Sequence, residues 1–148
     1  MSTLADAASR AAMRQRIANL TPQAKRQWGK MTPHQMLCHL NDAFKMADGS
    51  RQPKAIDNIF SRNFIRFVAL HTSISWPHGA KTVPEADQLQ AGTPPAEWGR
   101  DLGELLALFD GFSARDGHKH PFFGTMTGAE WNVWAYRHTD HHLRQFSA

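Results

Sequence analysis

Three histidines stand where chemistry could be built. His138 and His142 are four residues apart, a spacing that returns side chains to one face of a helix on successive turns, so their imidazoles can converge on a single metal ion. His39 lies in a separate apolar stripe and adds a third nitrogen, which makes an open site with a coordination position left for water or substrate. A divalent ion held there can lower the pKa of bound water, activate a coordinated thiol or polarise a carbonyl, and the residues leave these three chemistries open. Imidazole suits several metals; zinc or nickel is the expectation, with iron as the alternative. In a chain with nine histidines, a pair at this spacing also arises by chance. The case therefore rests on three inward positions shared between two helices.

Other side chains gather around the three. Asp42, three residues beyond His39, and Gln145, three beyond His142, are placed to orient the imidazoles from behind. Trp131 and Trp134 share the inward face of the last helix with His138, and His120 sits in a loop with Pro121 and Gly124; all three are expected to line the pocket. His141 points about 100° away from His142 and is expected to be exposed. Cys38 projects by the same angle from His39, toward Asn41, Asp42 and Lys45, and reads as a partly buried structural thiol. No GxSxG, phosphate-binding glycine loop or CxxC offers a different chemistry.

These residues need helices to hold them. Thr32-Pro33-His34-Gln35 and Thr127-Gly128-Ala129-Glu130 both have the form of a capping box, so helices are predicted to begin at each. From Pro33 to Ala47 the apolar residues Met36, Leu40, Ala43, Phe44 and Ala47 recur at helical steps, and Gly49 supplies a stop. Ile56, Ile59, Phe60, Phe64, Phe67 and Val68 predict a second bundle helix with Arg62 and Arg66 facing elsewhere. Trp98, Leu102, Leu105, Leu106, Phe109 and Phe112 mark a third, and the fourth runs from about Gly128 to the end. A weaker stripe of Leu4, Ala8, Ala11, Ala12 and Ile17 predicts an N-terminal helix packed across the bundle or against a partner. The expectation is an all-α fold, a four-helix bundle with an additional N-terminal helix, spanning residues 1–148 as one domain. Thr72 to Gly92, with Pro77 and Pro84, resists a helical reading and is either a flap over the site or surface chain.

Composition narrows the function classes. With 41% hydrophobic and 20% charged residues the chain has material for a packed core. A single cysteine rules out an internal disulfide framework, and the first twenty residues lack the apolar run of a signal peptide, so a cytoplasmic location is expected. The most apolar stretch, Asn63 to Leu70, is broken by Arg66 and is far shorter than the ~20 residues of a membrane span. Charge is uneven, +7 over residues 1–66 and −3 over residues 67–148. The basic residues are scattered, however, and nucleic acid is not expected as a partner.

Five stretches together carry a family resemblance: Trp28 to Met31, Met36 to Ala43, His120 to Gly124, Glu130-Trp131, and His138 to Phe146. Over about Trp28 to Phe146 the chain resembles the DinB-like superfamily, the YfiT-related group of four-helix-bundle metalloproteins, in its short branch without an added C-terminal domain. The resemblance implies a three-histidine site in which His39 matches the family's single histidine and His138 and His142 its His-x-x-x-His. It further implies a homodimer and a small-molecule substrate, with metal-dependent transfer of a low-molecular-weight thiol such as glutathione, bacillithiol or mycothiol to an electrophile. The alternatives are metal-dependent hydrolysis with the same residues, or a non-catalytic metal- or ligand-binding stress protein.

Overall fold

The computed structural model describes residues 2–80 and 82–148. Both predicted capping boxes are present. The Thr32 hydroxyl accepts from the Gln35 amide and opens α2 (Pro33–Asp48), and Thr127 does the same with Glu130 to open α5 (Gly128–Arg144). Gly49 ends α2 with φ 86°, a left-handed turn that only glycine adopts at little cost. The remaining helices are α1 (Ala7–Ala18), α3 (Arg66–His71), which continues a π-helical turn at Ser61–Ile65, and α4 (Trp98–Gly111). The fold is all-α apart from a small hairpin, β1 (Lys119–His120) against β2 (Gly124–Thr125), where the residue pattern predicts only a loop.

Helix α2 is the axis of the molecule. It packs against α4 and α5 and is covered nearly all round: Met36, Leu37, Leu40 and Phe44 are each at most 2% exposed, and His39, Asn41 and Asp42 are buried as well. Leu105, Phe109 and Phe112 reach it from α4, with Phe44 set edge-on to both phenylalanine rings. Helix α1 lies across α4 and α5 as expected, but through Leu4, Met13, Ile17 and Leu20; Ala8, Ala11 and Ala12 face outward. The larger side chains decide the face, because burying an alanine withdraws little area from water. Arg10 fastens α1 by donating to the Phe109, Asp110 and Phe112 carbonyls at the end of α4.

One predicted stripe faces the wrong way. Residues 59–71 are helical, yet Ile59, Phe60, Phe64 and Phe67 are exposed, while Ser61, Ala69 and Leu70 turn inward. Periodicity identifies residues that share a face; the neighbouring elements set what covers that face.

The Thr72–Gly92 stretch, apart from residue 81, is tied down at both ends. Arg137 on α5 donates to the carbonyls of Ala69, Thr72 and Ile74, and the Trp76 indole donates back to Ala69 O. Further on, a 3-10 turn at Pro84–Ala86 is held beside α2, with Val83 and Ala86 buried against Met46. Asp42 on α2, wholly buried, fixes the chain between Gln88 and Thr93 by accepting from Arg51 Nη1 at 2.7 Å, Gln88 Nε2 at 2.8 Å, and the Thr93 amide and hydroxyl at 2.8 and 2.7 Å. No helix among the described residues is long and apolar enough to cross a membrane.

Because Phe109 is fully buried between α1, α2 and α4, Phe109→Ala is expected to destabilise the protein by ~3–5 kcal/mol. Urea unfolding followed by circular dichroism would read this as a lowered midpoint with little change in slope.

Candidate metal centre

His39 from the middle of α2 and His138 and His142 from α5 come together. One ring nitrogen from each lies within 4.8 Å of the other two. His39 Nε2 and His138 Nε2 are 3.1 Å apart. Two nitrogens bound to one tetrahedral zinc at ~2.0–2.1 Å would stand about 3.3 Å apart, so a small adjustment of the rings accommodates an ion.

The backs of the rings decide which nitrogen faces inward. His39 Nδ1 lies 2.7 Å from the Ala86 carbonyl oxygen, which can only accept, so Nδ1 carries the proton and Nε2 presents a lone pair. His142 Nδ1 meets Gln145 Oε1 at 3.1 Å, and the orientation of that amide is set by its Nε2 donating to Trp28 O at 2.9 Å. His142 is therefore turned the same way. His138 is braced by Trp134, whose ring stacks on it at 4.9 Å between centroids. Imidazoles tied from behind to a carbonyl or an amide oxygen are the arrangement that fixes tautomer and aim at metal sites.

Burial favours the neutral form of all three. Desolvation pushes His39 below its ordinary pKa, although the Ala86 carbonyl, Asp42 and Asp87 draw it the other way. His138 and His142 are held well below the usual value, first by burial and then by neighbouring imidazoles. Neutral imidazole is the form that binds metal. His39 is 3% exposed whereas His138 and His142 are half-buried, so the group approaches the surface on the α5 side.

On that side lies an open cavity of about 650 Å3, whose walls include Trp28, Trp76, His78, Tyr136, Arg137 and His141. His78 stacks on Trp28 with ring centroids 3.9 Å apart, linking the segment after α3 to the one before α2. The His141 ring, 5.2 Å from that of His142, stands between cavity and triad. It is half-buried rather than exposed, because Trp28 and Trp76 close around it.

The other sequence candidates fall elsewhere. Asp42 makes no hydrogen bond to His39; all its contacts go to Arg51, Gln88 and Thr93, and it reaches the imidazole only through its charge and by anchoring the segment beyond Ala86. Trp131 is buried behind Trp134 and donates to His118 O. His120 is separated from the triad by Trp134, and its Nδ1 accepts the Phe122 and Phe123 amides, which closes the hairpin turn. Cys38 turns to Asp101 on α4, with Sγ 3.8 Å from Oδ2, and burial followed by the Asp101 charge pushes its thiol up to about 12. His34, Cys38 and Asp101 also bring three ligating atoms within 4.8 Å. Asp101 Oδ2 is already occupied by His34 Nε2 at 2.8 Å and the Ala96 amide at 3.0 Å, and the group serves to knit α2 to α4.

Sequence reasoning missed the Ala86 carbonyl, since a main-chain acceptor leaves no trace in residue identity. It also missed Trp76 and His78, which sit in the stretch that no periodicity organised.

An all-helical bundle with a histidine-rich candidate metal site is the class this structure defines. Residues 3–148 match the family described as "Protein of unknown function (DUF1569)", and the chain belongs to that family. No curated protein and no solved structure matches it.

His120, outside the triad, gives the fold a pH signature. Burial lowers its pKa from 6.5 to about 3, so between those values the folded protein binds fewer protons than the unfolded chain. Its stabilising contribution is complete above the unfolded value and is lost as pH falls toward the folded one. His120→Asn keeps an acceptor for the two turn amides but cannot be protonated. Melting temperatures compared from pH 8 to pH 5 should fall less steeply in this variant than in wild type; parallel curves would show that His120 does not contribute.

Proposed function

We propose that this chain is a DinB-like metalloenzyme that holds one divalent ion, zinc or nickel, on His39, His138 and His142 and transfers a low-molecular-weight thiol to an electrophilic small molecule. The observation that supports the metal reading is the setting of the rings: His39 and His142 have their Nδ1 atoms committed to acceptors, which leaves their Nε2 lone pairs free, and one ring nitrogen from each of the three histidines lies within 4.8 Å of the other two. Three neutral nitrogens and no carboxylate suit a borderline cation and leave room for a further ligand. When bound, such an ion supplies a Lewis acid that lowers the pKa of a thiol or of water enough to make it nucleophilic near neutral pH.

The chain's own residues supply the rest. The cavity beside His141 offers indole surface at Trp28 and Trp76 to shield a small molecule from water. His141 itself is kept below its ordinary pKa, chiefly by burial and then by His78, which favours the neutral form, and its place beside His142 makes it the candidate acceptor for the thiol proton. The sulfur then bonds to the electrophilic carbon, and the proton passes to the adduct or departs with the leaving group. The preference for thiol transfer over hydrolysis rests on the resemblance, and a required thiol separates the two.

Elemental analysis of protein purified without a metal-affinity tag should find one metal per chain in wild type and none in His39→Ala or His142→Ala. Protein that stays empty after incubation with zinc or nickel would remove the proposal. Gln145→Ala should keep the stoichiometry but weaken affinity by about 10–100-fold, since it removes only the support behind His142. The loaded protein, given a thiol and a chromogenic electrophile, should consume both together; ester turnover without thiol would point to hydrolysis instead.

A further inference from the structure

The stripe that the fold leaves uncovered is the largest unexplained feature of the surface. Ile59 is 81% exposed, Phe60 58%, Phe64 59%, Phe67 59% and the preceding Ile56 45%. At roughly 200 Å2 for a fully exposed side chain of this size, the five leave about 600 Å2 of apolar surface along residues 56–67, with Phe60 stacked on Phe64 and Phe64 beside Phe67. Patches that large on a single chain mark contact sites.

We infer that this face pairs with the same face of a second copy of the chain about a two-fold axis. Three observations favour that occupant. Area is the first: joining two such faces withdraws ~1,200 Å2 from water, above the roughly 1,000 Å2 that a specific interface needs.

Shape is the second. At one end of the helical stretch Ile59 and Phe60 stand exposed, with Phe60 stacked on Phe64 at 5.2 Å between ring centroids. At the other end lies a groove of about 510 Å3 bounded by Asn63, Phe64, Arg66, Phe67, His71 and Glu130. An axis passing near Asn63 sets the exposed end of each copy into the groove of the other, as an isologous contact requires. Residues 59–71 span ~20 Å, enough for two antiparallel helices to cross.

Charge is the third. Arg62 is paired with Asp57, and Glu130 accepts from His71 at 3.0 Å and faces Arg66 at 3.5 Å. The cations along the stripe are thus balanced within their own chain, so two copies meet without repulsion and an anionic partner finds little to grip. The pairing is independent of the metal reading. Glu130 and His142 lie near opposite ends of α5, ~18 Å apart along the helix.

Size-exclusion chromatography with light scattering at micromolar concentration tests the pairing. Wild type should run at twice the 16.7 kDa chain mass, and the double variant Phe60→Glu, Phe64→Glu at the single-chain mass with an unchanged far-ultraviolet spectrum. Ala12→Glu, on the exposed side of α1, should remain paired. Should the double variant fail to fold, Asn63→Cys replaces it: placed near the axis, it should give an interchain disulfide on mild oxidation, which Arg115→Cys should not. A wild type that is monomeric, a dimer indifferent to the glutamates, or a monomer that sediments with anionic vesicles would each overturn the inference.

Discussion

Three imidazoles packed edge to edge in a low-dielectric interior cannot all be charged, and most of the surrounding structure depends on that. A neutral imidazole carries one N–H and one lone pair, and a buried N–H without an acceptor costs ~1–3 kcal/mol. His39 and His142 spend theirs on the Ala86 carbonyl and on Gln145. Their remaining lone pairs are met either by a donor, such as an Nε2–H on a neutral His138, whose Nε2 is 3.1 Å from His39 Nε2, or by a cation. The Pro84–Ala86 turn against α2 supplies the first acceptor, and Gln145, held by its bond to the Trp28 carbonyl, supplies the second.

Asp42 shows how the interior sustains this arrangement. A buried carboxylate is expensive unless its oxygens are filled, and here Arg51, Gln88 and Thr93 fill both. Two separate stretches of chain, one at Arg51 and one from Gln88 to Thr93, therefore converge on one side chain of α2, a turn away from His39. The carboxylate steadies the segment that carries the Ala86 carbonyl and acts on the imidazole itself only through its charge.

How much of this was legible in the residues depended on the range of the signal. Thr32 with Gln35 and Thr127 with Glu130 are local signals, and both helix starts stand where those pairs predict. The i, i+4 relation of His138 to His142 is equally local, and His39 joined them because it lies on the buried stripe of its own helix. Long-range choices were not legible. The Ile59 to Phe67 stripe read as core because amphipathic spacing is indifferent to whether the covering surface belongs to the same chain. Asp42 read as a partner of His39 because the competing donors at Arg51, Gln88 and Thr93 are up to 51 residues away in sequence. Ala8 and Ala12 completed a helical period yet carry too little surface to choose a face against Met13 and Ile17.

The wide separation between the halves of the candidate centre also has a meaning in time. His39 precedes His138 by 99 positions, so at synthesis rates of about 5–20 residues per second the first imidazole waits roughly 5–20 s for the others. Residues 138–145 of α5 and its cap complete the candidate centre. A lone histidine on a nascent helix grips cations weakly, so any ion that the centre holds would be bound only after His138 and His142 have been made. A chain cut before residue 138 lacks two of the three nitrogens.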